Sequence, residues 1–372
     1  MPIIVDGFHY AASELSRVYF LTHMHADHYG GLTRSWDCGL IYGTEPTLRL
    51  IGSQFLRPLP LNTPTHITVG GAPVVVTMLD ANHCPGAACV LFEMVDGSLT
   101  LHVGDFRWDR ETMLQMNPVL RALQLDCLYL DTTYCDARYT FPPQRQVIDA
   151  TVAAVSQHLR GSAHASTLIL FGAYSLGKER LYLEVARRLG KRVFVDKARH
   201  QTLLCLRWPP ETMQLLTTDQ SSTPLWVVPI SHIKFPAMRT HAASRKALQS
   251  DFKCVVGIQP TGWTFGGARG GGGGGSAAAL LSCRRQGADV IYGAPYSEHS
   301  SFTELVDCVR YLRPRRVVPT VNCGTAEKAR AQVALLTSAA AQPLLSDAAR
   351  PSVSAAGGAG SAQPLSGGIV EA

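Results

Sequence analysis

The stretch VYFLTHMHADHYGGL, Val18 to Leu32, places His23, His25, Asp27 and His28 within six positions directly after an apolar run. The run reads as a strand, with the cluster on the loop that follows it. Such a cluster is a polar loop, one half of a metal site, or the core of a catalytic centre. Neutral imidazole offers a lone pair near pH 7 and is the commonest metal-ligating side chain. Histidines at i and i+2 after a strand can converge on one point. The carboxylate and third imidazole that follow can reach a second point nearby. The full H-x-H-x-D-H pattern is therefore far more specific than a lone H-x-H.

A centre for two ions needs further ligands, and candidates fall at other expected strand ends. His83 follows VVVTMLDAN, and Asp105 follows SLTLHVG. An aspartate can bridge two cations, which one imidazole nitrogen cannot do. His299, in PYSEHSS, is the best remaining candidate for a second ion. The other histidines lack a comparable setting and read as surface or packing residues.

The bulk composition suits an α/β protein with a substantial core: 372 residues, 46% hydrophobic and 17% charged. No apolar run approaches the ~20 residues that span a bilayer. MPIIVDGFHY lacks the basic and apolar regions of a signal peptide, so a soluble, intracellular chain with no membrane contact is expected. The ten cysteines include no C-x-x-C pair, which suits reduced thiols better than a disulfide framework or zinc ribbon.

Short β-branched segments separated by Gly, Pro and Asn turns make the region before about residue 135 β-rich. Val147, Ile148, Val152, Val155 and Leu159 then share one helical face, and α/β alternation follows. The expected boundaries are 1–150 for the first part of one domain, 151–290 for an insertion, and 291–335 for the last part of the first domain. A Gly-rich segment at 266–280 lacks the spacing of a phosphate loop and reads as a flexible surface insertion. Residues 336–372 are Ala, Gly, Ser and Pro-rich and read as a disordered tail. Residues 156–290 hold 18 Lys and Arg against 7 Asp and Glu, so the insertion is basic while the remainder is net acidic. Excess positive charge in one module suits a polyanion such as a nucleic-acid backbone.

In order along the chain, IIVDGF, FLTHMHADHYGGL, MLDANHCPGA, HVGDFR, LYLDTTYC, YSLGKE, PTGWT and PYSEHSS together resemble the β-CASP nucleases of the metallo-β-lactamase fold. The likeness is to their DNA cross-link repair exonuclease branch, which includes Apollo and Artemis. It runs from about residue 3 to about residue 325. The resemblance implies an αββα sandwich carrying an inserted α/β β-CASP domain. It implies that His23, His25, His83 and Asp105 hold a first zinc, and that Asp27, His28 and His299 hold a second, with Asp105 between them. Asp6 then orients ligands through hydrogen bonds, and Asp131 lies beside the metals; with Asp27 and Asp105 these form the catalytic set. His-rich ligation favours zinc, one or two ions, with Mn²⁺ or Mg²⁺ as alternatives.

Ser175, Gly177 and Lys178 sit at a strand-to-helix turn and offer hydroxyl, backbone N–H and ammonium groups to an anion. Ser297, Ser300 and Ser301 flank His299 and add hydroxyls. In the family these regions form a pocket for a 5′-phosphate, implying a 5′-to-3′ DNA exonuclease of interstrand cross-link repair, nuclear and monomeric. Val321 occupies the place where RNA-processing β-CASP proteins carry a histidine, which resembles the DNA-directed branch. Trp226 and Trp263 could stack on bases, although a Trp is more often core. The rival readings are an RNA-processing β-CASP endonuclease, a small-molecule hydrolase, and an inactive scaffold that binds DNA ends. The family's helix after the last motif is expected to be replaced here by Ala-rich, low-complexity sequence.

Overall fold

The computed structural model describes residues 2–52, 55–160, 166–244, 252–262 and 280–342. Trp263, the Gly-rich segment except Leu280, and the chain after Gln342 lie outside the described residues.

Alternation along the strands decides which layer each residue joins. β1 (Ile4–Val5), β2 (Val18–Phe20), β3 (Leu40–Gly43) and β4 (Leu56–Pro58) form a parallel sheet in that order. A second sheet runs β17 (Arg316–Pro319), β9 (Cys127–Leu130), β8 (Leu99–His102), β7 (Ala88–Glu93), β6 (Ala72–Asp80), β5 (Thr65–Val69). On β6 and β7, Val74, Val76, Met78, Ala88, Val90 and Phe92 point one way and pack with Val18 and Phe20 of the first sheet. Their neighbours Leu79, Cys89 and Leu91 point the other way, into a core completed by helices. That period of two makes a sandwich.

The helices are α1 (Ala26–Tyr29), α2 (Glu45–Arg49), α3 (Arg110–Met116), α4 (Gln144–His158), α5 (Glu179–Arg188), α6 (Lys197–Leu204), α7 (Pro210–Met213), α8 (Phe235–Ser244), α9 (Phe302–Leu312) and α10 (Ala326–Ala341). Ser301 and Glu304 close a capping box at the start of α9, satisfying two backbone N–H groups that the helix leaves unpaired. Leu305, Val309 and Leu312 of α9 enter the same core as Leu79 and Leu91.

A third sheet belongs to the insertion. Its order is β12 (Leu216–Thr217), β11 (Val193–Phe194), β13 (Leu225–Pro229), β10 (Thr167–Ala173), β14 (Cys254–Pro260), β16 (Asp289–Ala294), β15 (Ser282–Gln286). All pairs are parallel except β15 with β16. Leu168 and Leu170 of β10 face a local core with Trp226 and Met238. Ile169 and Phe171 face the large core shared with α4, α5 and the second sheet. The insertion is thus fused to the sandwich by continuous apolar packing.

Two boundaries shift from the sequence expectation. The point 150/151 falls inside α4, and 290/291 falls inside β16, whose pairings all lie within the insertion sheet. The tail expected to be disordered from 336 is helical to Ala341, with Leu336 fully buried. Alanine has the highest helix propensity, so Ala-rich sequence needs few apolar anchors once α9 offers a surface. Arg310 of α9 adds bonds to the carbonyls of Ala339 and Ala340 at its end. All ten cysteines are free thiols, and among the described residues no helix is long and apolar enough to cross a membrane.

Leu336→Ala should cost about 2–5 kcal/mol, the usual range for emptying a closed apolar site. Urea unfolding followed by circular dichroism measures it; an unchanged midpoint would mean that α10 does not contribute to the fold.

Candidate metal centre

β6 and β8 both run antiparallel to β7, and β9 is parallel to β8, so the three strands end at one rim. His83, Asp105 and Asp131 follow those ends. Asp6 follows β1 and His23 follows β2, a parallel pair whose carboxyl ends meet the same rim through a bond from the Ala88 N–H to the Thr22 carbonyl. His299 arrives on the loop between β16 and α9. Gly104, at φ +58°, lets that rim close: a Cβ there would lie 2.8 Å from Thr22.

Asp105 is the hub. Its Oδ2 lies 3.6 Å from His23 Nε2, 3.8 Å from His83 Nε2 and 3.9 Å from His299 Nε2, while Oδ1 lies 3.3 Å from His28 Nε2. His25 Nδ1 joins the first group, 3.0 Å from His23 Nε2 and 3.2 Å from His83 Nε2. Donor atoms of His23, His25, His83 and Asp105 all fall within 4.8 Å of one another. Two further groups, Asp6–His23–His28 and Asp105–Asp131–His299, meet the same limit.

Outer hydrogen bonds determine which nitrogen faces inward. The His25 Nε2–H donates to the Leu176 carbonyl and the His83 Nδ1–H to the Glu298 carbonyl, because a carbonyl can only accept. The Thr22 hydroxyl gives its proton to Asp6 Oδ2 at 2.6 Å, so it accepts from His23 Nδ1–H at 3.0 Å. Three lone pairs therefore converge with no donor among them. Burial lowers the basicity of His23, His25 and His83, so they stay neutral. Their separations approach the ~3.3 Å between ligands of a tetrahedral ion with bonds of ~2.0–2.1 Å. This donor set fits a divalent cation.

The other side carries positive charge when only protein groups are present. Burial works against protonation of His28, but hydrogen bonds to Asp105 and Asp6 prevail and raise it to about 11. His299, likewise opposed by burial, is raised to about 9 by Asp131 and Asp105. Burial would raise the Asp105 carboxyl, yet His299 and His28 hold it well below the carboxylate range. Each of the two imidazoles donates Nδ1–H to an outer carboxylate, Asp6 at 2.7 Å and Asp131 at 2.9 Å, and turns Nε2 towards Asp105. Thr133 fixes Asp131 in turn. Asp27 stands apart: its side chain is 80% exposed, with Oδ2 3.8 Å from His28 Nε2.

The residues expected to hold phosphate are largely committed elsewhere. The Lys178 ammonium forms a buried bond of 2.9 Å to Glu298 Oε2, and its backbone N–H meets Oε1 at 2.7 Å. The Gly177 N–H donates to Glu179. Ser297 bonds the backbone of His299, Ser300 bonds Phe106 and Trp108, and Ser301 caps α9. Of the six, Ser175 alone is exposed. The Lys178 ammonium is thus held by Glu298 inside the fold and is not open to an anion at the turn. Trp226 is buried, with its indole N–H on the Thr223 carbonyl, which makes it a core residue. Sequence reasoning missed Thr22, Glu298 and Arg107. The buried Arg107 ties the loop after Asp105 to Glu304 and to the Ser297 carbonyl.

A sandwich with an α/β insertion and a His/Asp centre at its strand-end rim defines a metal-binding protein of the metallo-β-lactamase fold. Residues 210–325 match the family described as DNA repair metallo-beta-lactamase. The chain is 40% identical to the DNA cross-link repair protein SNM1 of Arabidopsis thaliana over 87% of its own length and 65% of that protein. It is 37% identical to the human DNA cross-link repair 1A protein, over 86% and 30%. With the 5′ exonuclease Apollo of Danio rerio it shares 32% identity, over 87% and 51%. The chain thus spans less than two thirds of these relatives. Over most of its own length it is similar to DNA cross-link repair proteins, and residues 210–325 carry the match to the DNA repair metallo-beta-lactamase model.

Thr22→Val removes the hydroxyl shared by Asp6 and His23 and should weaken ion binding by about 10–100-fold in a competition titration with a chromogenic chelator. Ion binding must displace the Nε2 protons of His28 and His299, so affinity should rise with pH up to about 9, where His299 loses its proton, and less steeply towards about 11, where His28 does. Calorimetry in buffers of different ionisation enthalpy should detect the released protons; none released would contradict the charge assignment.

Proposed function

We propose that the chain is a metal-dependent nuclease that hydrolyses DNA phosphodiesters 5′ to 3′ from a 5′-phosphorylated end, in DNA repair including that of interstrand cross-links. The observation that carries this reading is the ring of five imidazoles around Asp105, divided between two adjoining clusters. His23, His25, His83 and Asp105 would hold one ion; His28, His299, Asp105 and a rotated Asp27 would hold the other. Nitrogen-rich donors favour zinc. Bound divalent cations supply acidification of water and electrophilic stabilisation of a phosphodiester.

The chain's own groups divide the remaining work. Asp27, exposed beside His28, accepts a proton from the attacking water. Asp6 and Asp131 act as positioning residues, each fixing one imidazole through Nδ1. Ser175 stays open to a terminal phosphate next to Leu176, whose carbonyl orients His25. The basic insertion supplies sequence-independent attraction to the strand. Relatives described as DNA cross-link repair proteins and a 5′ exonuclease support DNA as substrate and, with it, a nuclear location. Val321 at the last motif supports DNA over RNA, and a monomer suffices because one chain carries the whole donor set.

The test compares 5′-phosphate and 5′-hydroxyl single-stranded DNA and RNA, with and without chelator. His25→Ala and chelator should each lower cleavage at least ~100-fold, and Asp27→Asn should lower kcat by ~10²–10⁴. Chelator-resistant cleavage would sink the mechanism, and equal digestion of RNA would sink the DNA assignment.

A further inference from the structure

Behind the loops of the centre, α3, α4 and α5 enclose a cleft of about 690 Å³ that no expected metal ligand lines. Five arginines line it against three carboxylates. Each carboxylate is already engaged. Glu184 accepts from Arg187 and Arg188, Glu304 from Arg107 and the Ser301 N–H, and Asp109 from the Thr112 N–H. Arg145, exposed on the first turn of α4, has no carboxylate partner among the described residues. Arg180, exposed on α5, spends one nitrogen on neutral acceptors, Asn82 Oδ1 at 2.9 Å and Gln144 Oε1 at 2.8 Å. A guanidinium has five donors, so most of Arg180 remains available.

We propose that this cleft is a second anion site, which takes a phosphate-bearing ligand on Arg145 and Arg180. Its volume lies within the ~300–1,000 Å³ of small-ligand sites. The apolar part of the lining is aliphatic (Ile148, Leu183 and Leu215 beside Pro143), with no aromatic face on which a base could stack. Recognition therefore rests on the phosphate, whose oxygens match the fork of a guanidinium. Arg187 and Arg188 add positive potential from the rim while remaining paired to Glu184. The ligand could be a free phosphate compound or the backbone of a bound strand, and both use the same chemistry.

The site has a route to the metal centre. Asn82 precedes His83, and its side-chain N–H donates to the Arg107 carbonyl. Gln144 donates to the Ser297 carbonyl, two residues before His299. An anion that draws Arg180 away from Asn82 and Gln144 thus removes a brace from the loops bearing His83 and His299. The proposal stands whether or not the chain cleaves DNA, because it is tested without metal.

Inorganic pyrophosphate is titrated calorimetrically into the chelator-treated full chain. Arg145→Ala Arg180→Ala should weaken binding at least ~10-fold, while His28→Ala, which alters the metal centre, should leave it within about twofold. Arg145→Ala alone sits on an exposed helix position, leaves the fold intact, and should account for part of the loss. Wild-type binding weaker than millimolar, insensitivity to both arginine variants, or loss with His28→Ala would overturn the assignment. Oligodeoxynucleotides of about four and about twenty residues then separate the sources. An arginine-dependent gain with length identifies a strand backbone as the ligand; equal arginine dependence without that gain identifies a free phosphate compound.

Discussion

One buried carboxylate surrounded by imidazoles sets the terms for this molecule. Asp105 finds its charge partners in His28 and His299, while the neutral rings of His23, His25 and His83 turn inward lone pairs that cannot satisfy one another. A cation fits where those lone pairs converge. The fold makes the arrangement affordable by placing a fixed acceptor behind every ring: a hydroxyl behind His23, carbonyls behind His25 and His83, carboxylates behind His28 and His299. The two halves differ in the charge of that backing. Burial keeps the three rings with neutral backing neutral, whereas anionic backing overcomes burial and makes the other two strongly basic, so the adjoining sites bind ions against different proton competition.

The inserted module is part of the centre. Leu176, in the turn between β10 and α5 of the insertion, supplies the acceptor for His25. Glu298, on the return from that sheet, uses its carbonyl for His83 and its carboxylate for Lys178. Gly177, at φ +109°, is required where these meet, since a Cβ would come within 2.9 Å of Glu298 Oε2. The apolar core that runs from the sandwich into the insertion keeps these contacts in register.

Much of this was legible in the chain itself, for a physical reason. Strand alternation and turn chemistry are local, so His23, His25, His83 and Asp105 could be singled out as candidates at strand ends, with His299 left as the remaining histidine in a comparable setting. What stayed hidden depends on long-range partners. Leu176 acts through its backbone, which carries no signature of residue type, and it meets His25 across 151 residues. Lys178 beside a glycine suggests an anion site, but Glu298, 120 residues away, takes the ammonium. The Ala-rich stretch from 336 looks unstructured by composition, yet it continues a helix to Ala341, and a helix that docks needs only a few buried contacts, of which Leu336 provides one.

The ion pair between Lys178 and Glu298 limits how this architecture can be simplified. Cutting the insertion out would strip His25 of its acceptor and Glu298 of its Lys178 partner. The carbonyl that aims His83 sits on that same residue, so the fault would spread to the ion site itself. The insertion therefore serves as the frame that aims these two imidazoles, as well as widening the surface.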